Sequence, residues 1–255
     1  MKYPAPHTRI ASSRLRGFTL IELMIAITVA VFLIGGLLMM VQSTRNTFAA
    51  QNQLAQLQDN ERLVLTFMTE VIEAAGYFPN PGVNTNTAVM PVKAPFAAAG
   101  QAVFGTFNAN PLLPDDVTIR YGAGPADDIF NCRGTKNAVA PYDTFENRFW
   151  VDNTVPSNPV LTCTFTSGVI PGGVPVPLVN GVKNLKIFYG VKRNPVNTLS
   201  CADTYLNASQ MAATDWNNVC TVKVTVSFIN PLDPTKPVID ITRVIAVMNT
   251  AGVNS

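Results

Sequence analysis

The sequence predicts an α+β protein: one long N-terminal α-helix, its first half membrane-length and its second half amphipathic, packed on a C-terminal, mainly antiparallel β-sheet head. Three features of the 255-residue chain carry this prediction. They are an apolar run from Phe18 to Val41, an apolar stripe of helical period from Leu54 to Ala75, and a series of short β-branched runs between Val117 and Val247.

Between Phe18 and Val41 every residue except Glu22 is apolar or small. About 24 residues at about 1.5 Å of helical rise cover the roughly 30 Å core of a bilayer. Lys2, Arg9, Arg14 and Arg16 precede the run, so the positive-inside rule keeps that end cytoplasmic and sends the bulk of the chain across. A cleaved secretory signal fits poorly, because its apolar region is about 7 to 15 residues long and ends at a small-residue site. Here the run continues without polar relief to Gln42 and Ser43. A plain anchor would leave Glu22 unexplained. A carboxylate in a membrane-length segment is costly, and the cost reads as function, with a partner supplying the opposite charge.

The helical pattern continues beyond the membrane. Leu54, Leu57, Glu61, Val64, Met68, Val71 and Ala75 recur at spacings of three and four, with Leu65 and Ile72 widening the stripe. Gln51, Gln53, Gln58, Asp59, Arg62, Glu70 and Glu73 make the opposite face suited to water. Gly76 followed by Pro79 stops the helix, which from Phe18 to Gly76 would measure roughly 90 Å. Inside it, Gly35 and Gly36 each weaken the helix by up to about 1 kcal/mol relative to Ala, which invites a kink or local melting. Close helix packing in the membrane explains two small residues equally well.

From Asn80 to Pro114 the chain is rich in Pro, Gly, Asn and Ala, and it reads as loops with at most short strands. Strands are expected at Val117–Tyr121, Arg148–Val151, Leu161–Phe165, Val182–Val191, Cys220–Ile229 and Val238–Val247. Val222 to Phe228 and Ile239 to Val244 alternate apolar and polar, so each should turn one face to a core and one to water. An antiparallel sheet lying on the second half of the helix satisfies both patterns. Trp150 and Trp216, as strand-region aromatics, are expected to be packed rather than ligand-facing.

Composition excludes several functions. Four of the 18 basic residues lie before Gly17, so a chain cut there keeps 14 against 16 acidic residues, a net charge of −2, unsuited to nucleic acid. The single histidine, His7, lies in that same leader, and no Gly-x-Ser-x-Gly elbow or phosphate loop occurs, so an enzyme is not expected. Cys132, Cys163, Cys201 and Cys220 are even in number and without a CxxC spacing, which points to disulfides in an oxidising compartment and away from zinc. Of the three pairings, Cys132 with Cys163 and Cys201 with Cys220 close the shorter loops and are favoured. Asp115-Asp116 and Asp127-Asp128 stand beside turn residues but in no recognisable calcium loop, so turn chemistry is the preferred reading and no metal or other cofactor is expected.

The junction Arg16-Gly17-Phe18-Thr19-Leu20-Ile21-Glu22 resembles that of type IV prepilins and type II secretion pseudopilins, whose leader ends in Gly, with Phe or Met first and Glu fifth in the mature chain. Gly17, Phe18 and Glu22 match each position. Within that superfamily three fragments are similar to PilW-type minor pilins. Val71 to Tyr77 looks like their helix end, Leu178 to Gly190 like a "V-x-G-V-x-x-L-x-x-x-Y-G" strand shared with J-type pseudopilins, and Ile129 to Gly134 like a further PilW segment. Asn80 to Pro114 carries no recognised resemblance.

The resemblance implies a pilin-like organisation: leader 1–17, transmembrane or filament-core helix 18–41, amphipathic periplasmic helix 42–78 and β-rich head 79–255. It implies that a prepilin peptidase cuts after Gly17 and methylates the amine of Phe18, and that Glu22 pairs with a neighbouring subunit's N-terminal amine. The implied function is that of a minor pilin, joining other minor pilins and the pilus assembly machinery in a tip-like complex that primes the type IV pilus and in many systems carries an adhesin. A J-type minor pseudopilin of type II secretion is the alternative. The protein would sit in the inner membrane with its head in the periplasm before assembly, and in the pilus, at its tip, afterwards.

Overall fold

The computed structural model describes residues 17–194 and 201–251. It divides at Asn52 into an N-terminal stretch of helix and a compact head that begins at Gln53. One helix, α1 (Leu20–Glu73), supplies both, and it runs unbroken through Gly35 and Gly36. Open space surrounds both glycines in this chain. α1 ends three residues before Gly76; Ala74 to Gly76 form a turn in which Gly76 takes φ 76°, a left-handed conformation that glycine enters without a Cβ clash. Of the expected stripe, Leu57, Val64, Met68, Val71, Ile72 and Ala75 are buried, whereas Leu54 lies at the near end of the head and is exposed.

The head holds two antiparallel sheets where the sequence suggested one. The first contains β1 (Val103–Thr106), β2 (Asp116–Ala123), β3 (Asp143–Asp152), β4 (Val160–Thr166) and β5 (Val174–Asn180) in sequence order. The second has the order β7-β6-β8-β9, from β6 (Val182–Val191), β7 (Thr204–Leu206), β8 (Thr221–Phe228) and β9 (Ile239–Ala246). The chain passes from one sheet to the other at Gly181, whose N–H donates to Pro159 and whose carbonyl accepts from Ile229. Inner-face residues of both sheets, including Ile119, Phe149, Leu161, Ile187, Val224 and Phe228, form one core with the buried side of α1. On the edge strand β9 only Ile245 is fully buried, and Val244 is exposed.

The segment between α1 and β1 is more ordered than its composition suggested. It contains a short helix, α2 (Asn86–Val89), capped by Thr85, and folds over the outer face of the first sheet. Arg120 of β2 fastens it. Its side chain is fully buried and donates to the carbonyls of Gln101 (2.7 Å), Pro91 (2.6 Å) and Met90 (3.4 Å), with the ring of Phe96 4.1 Å from its Cζ. Burial pulls its pKa down to about 10 while nearby Glu146 opposes the shift. Thr144 Oγ1 donates to the Val89 carbonyl, and Lys93 pairs with Glu146 at 2.9 Å.

Asp115 ties the two sheets together. It accepts from Asn108 N–H (2.8 Å), Lys186 Nζ (3.1 Å) and Ile187 N–H (3.2 Å). The bond from Asn184 to the Pro111 carbonyl holds the 107–114 loop against β6.

Candidate functional site

The leader, residues 1–16, lies outside the described residues, but Gly17 and Phe18 do not. Both are non-helical and exposed, Phe18 at 90% of its surface, so the Gly17–Phe18 bond lies in accessible chain immediately before the helix. Thr19 is the cap. Its N–H and hydroxyl donate to Glu22 Oε2 at 3.0 and 2.9 Å, and its Oγ1 accepts from the Glu22 N–H at 3.3 Å. This is a reciprocal capping box, in which a Thr and a Glu three residues on satisfy backbone donors that a helix start leaves unpaired. The Thr-x-x-Glu spacing ahead of an apolar run announces it in the sequence; Thr19 is the one site residue that attention to Glu22 alone passes over.

The chemistry open to Glu22 follows. It has hydrogen-bond donors from Thr19, but among the described residues no cation pairs with it. Around it the helix is apolar on all sides and none of its most apolar stretch is buried against protein; it is long and apolar enough to cross a membrane. A negative charge so placed is stabilised by a positive group brought by another molecule.

The remaining candidates lie in the head. Disulfides join Cys132 to Cys163 and Cys201 to Cys220, with Cα atoms 6.3 and 6.1 Å apart. The first ties the 129–136 loop to the centre of β4, where Cys132 N–H also donates to Asn147 Oδ1 at 2.9 Å. The second links the start of the 201–220 segment to the residue that enters β8.

Each member of the acidic pairs has at least one protein donor. Asp116 accepts from Arg148 Nε at 3.0 Å, Asp127 caps the Gly124 N–H at 2.7 Å, and Asp128 pairs with Lys136, whose hydrogen bond and charge hold that carboxyl below its ordinary pKa. No group of three or more His, Cys, Asp or Glu side chains suited to a metal occurs among the described residues.

The two tryptophans separate. Trp216 packs against Tyr189 and Phe104 at ring distances of 4.9 and 5.3 Å and covers the edge at β1. Trp150, expected to be packed, lies half-buried on the outer face of β3, its indole N–H donating to Thr164 Oγ1 at 3.0 Å.

Two stretches match known families. Residues 12–38, which hold the Gly17–Phe18 junction and Glu22, match the prokaryotic N-terminal methylation motif. Residues 148–236, from the second half of β3 past the end of β8, match the type IV pilus-assembly protein W family. The strand fragment Leu178 to Gly190 falls inside that match, whereas the cover over residues 86–101 falls outside both. No curated protein matches the chain closely enough to count as a relative.

Proposed function

We propose that this chain, a type IV pilin of the PilW type, acts as a minor pilin that joins other minor pilins in a complex at the pilus tip and primes filament assembly. The observation that carries this reading is the presence in one chain of the methylation motif at 12–38 and the pilus-assembly match at 148–236. The first supplies membrane insertion, processing and a helix able to enter a filament core. The second attaches that helix to a head of the pilus class, which favours a pilus over a secretion pseudopilus.

In the membrane the capping box holds Glu22 at the start of the helix, with no cation paired to it among the described residues. After cleavage the amine of a neighbouring subunit supplies the matching charge, and because one unpaired buried charge is penalised, the pairing selects a register between helices. The head lies on the periplasmic side before assembly, where its two disulfides persist.

A chromosomal deletion complemented with tagged protein tests this. The expected result is loss of surface pili, restoration by the wild-type gene, recovery of the tagged chain in sheared pili at far below the major subunit's amount, and its co-purification with other minor pilins. Normal piliation in the deletion strain, or recovery only with type II secretion components, overturns it.

A further inference from the structure

The cover held by Arg120 leaves part of the first sheet's outer face open. There a cleft of about 340 Å³ runs beside Pro95, at the small end of the range for small-molecule sites of about 300–1,000 Å³. Its floor is Asp116 and Thr118 of β2, Glu146 and Arg148 of β3, and Thr164 and Thr166 of β4. Phe104 of β1 forms a wall, and Trp150 stands two residues beyond Arg148 on the same face.

The floor is polar, yet its charges cancel. Arg148 pairs with Asp116 through Oδ2, and Lys93 pairs with Glu146 through Oε1. The second carboxylate oxygens, Asp116 Oδ1 and Glu146 Oε2, receive no hydrogen bond from a described residue, nor do the hydroxyls of Thr118 and Thr166. Acceptors and hydroxyls therefore line the cleft, with the Phe104 ring beside them.

We propose that this cleft binds a neutral oligosaccharide. Vicinal sugar hydroxyls donate to the open carboxylate oxygens and exchange hydrogen bonds with the threonines, and the apolar C–H face of a pyranose packs on an aromatic ring. An anionic ligand would have to draw Arg148 or Lys93 out of its ion pair, leaving a carboxylate's charge unmatched beside the open carboxylate oxygens. An extended peptide is less suited. The backbone groups of β2 and β3 are committed to their ladders, so a peptide lying across the face would find no row of backbone donors and acceptors. The cover keeps the cleft in shape, because the buried Arg120 fork fixes residues 90–101 on the sheet that forms the floor.

The full-length protein, in a detergent without a sugar headgroup, can be titrated with maltohexaose, cellohexaose, chitohexaose and hexamannose, with hexagalacturonate and a Gly-Ser hexapeptide as comparisons. Tryptophan emission reports binding through Trp150. We expect at least one neutral hexasaccharide to saturate with a Kd of about 1 mM or tighter, and the T118V/T166V double variant to weaken it at least about tenfold. Those swaps keep side-chain shape; should that variant misfold, the single T166V variant, at the more exposed of the two threonines, makes the same comparison. The proposal is overturned if no neutral hexasaccharide saturates below about 10 mM, if the variants bind as the wild type does, or if hexagalacturonate or the peptide binds more tightly. Since the cleft is remote in sequence from the Glu22 motif, loss of binding with normal piliation, or the reverse, tells the failure of this inference from that of the pilus role.

Discussion

Arg120 shows how one side chain can organise a segment that has little pattern of its own. A fully buried guanidinium with carbonyl acceptors on several turns of the 90–101 segment replaces the hydrogen bonds that a strand or helix would otherwise provide there. Arg120→Met should orphan those carbonyls and cost about 3 kcal/mol. Denaturant unfolding should show the loss, and hydrogen exchange should show it concentrated in residues 86–101; unchanged protection there would refute the fastening role. Arg120→Lys should recover only part, since an ammonium cannot reproduce the planar fork. Gly105 is a second fixed point: a Cβ there would collide with the Tyr189 hydroxyl and lie 2.7 Å from the Asp116 carbonyl, so Gly105→Ala should destabilise the head by about 1–3 kcal/mol in the same unfolding assay. Neither residue was legible in the sequence. An arginine alternating with Val117, Ile119 and Tyr121 reads as water-facing, and it is buried only because a segment 20 to 30 positions earlier folds onto it. The Thr19–Glu22 box is a purely local pattern that the sequence carries, but reading Glu22 only as a charge passes over it.

Elements were legible where pattern and burial agree. The β6 range was read from its Val-rich alternation, and β2, β4, β8 and β9 were found within a few residues of their ends, whereas of β3 only the second half, Arg148 to Val151, was read. β5 was missed because Val174-Pro175-Val176-Pro177 looks like a turn; as an edge strand it tolerates proline, which also blocks pairing with a further strand. The division into two sheets was hidden as well, because it depends on the Asn180-Gly181 crossing and on Asp115 bonding to β6, which are contacts between distant parts of the chain. The Cys132–Cys163 bridge supports the 129–136 loop, so replacing both cysteines by Ser should cost about 2–4 kcal/mol and expose that loop to proteolysis. The 201–220 segment carries an acid-sensitive clasp. Asp215 accepts from Arg193, chiefly through that hydrogen bond, and Asp203 accepts from the Arg193 and Asn194 N–H groups; both carboxyls lie below their ordinary value of 3.8. The folded state thus binds fewer protons than the unfolded chain in acid, so this stabilisation is complete above about pH 4 and fades as pH falls through the lowered values. Exchange of residues 201–218 should accelerate below about pH 4 in the wild type, and Asp215→Asn should remove much of that dependence.

For the whole molecule the central question is whether the role proposed for Glu22 can be separated from the stability of the head. The buried part of α1 begins at Leu57, while none of its most apolar stretch is buried and Glu22 is exposed, so charge pairing and head stability are separable by mutation. Processing should remove residues 1–17 and add one methyl to Phe18, a change that intact-mass measurement reads directly; an N-terminus near Gln42 would contradict the prepilin reading. Glu22→Gln keeps a hydrogen-bond acceptor for Thr19 and so should preserve the capping box, helix and cleavage, yet it removes the charge that a neighbour's amine would meet. Thr19→Val makes the opposite change, deleting the hydroxyl and keeping the charge. If charge pairing sets the register, Glu22→Gln should lower recovery of partner minor pilins at least about tenfold and reduce surface pili, with wild-type protein level and unfolding midpoint, whereas Thr19→Val should have the smaller effect. If the capping box is what matters, the order reverses. Equal, wild-type recovery from both variants would mean that the helix packs by its apolar surface alone and that Glu22 serves some purpose other than assembly.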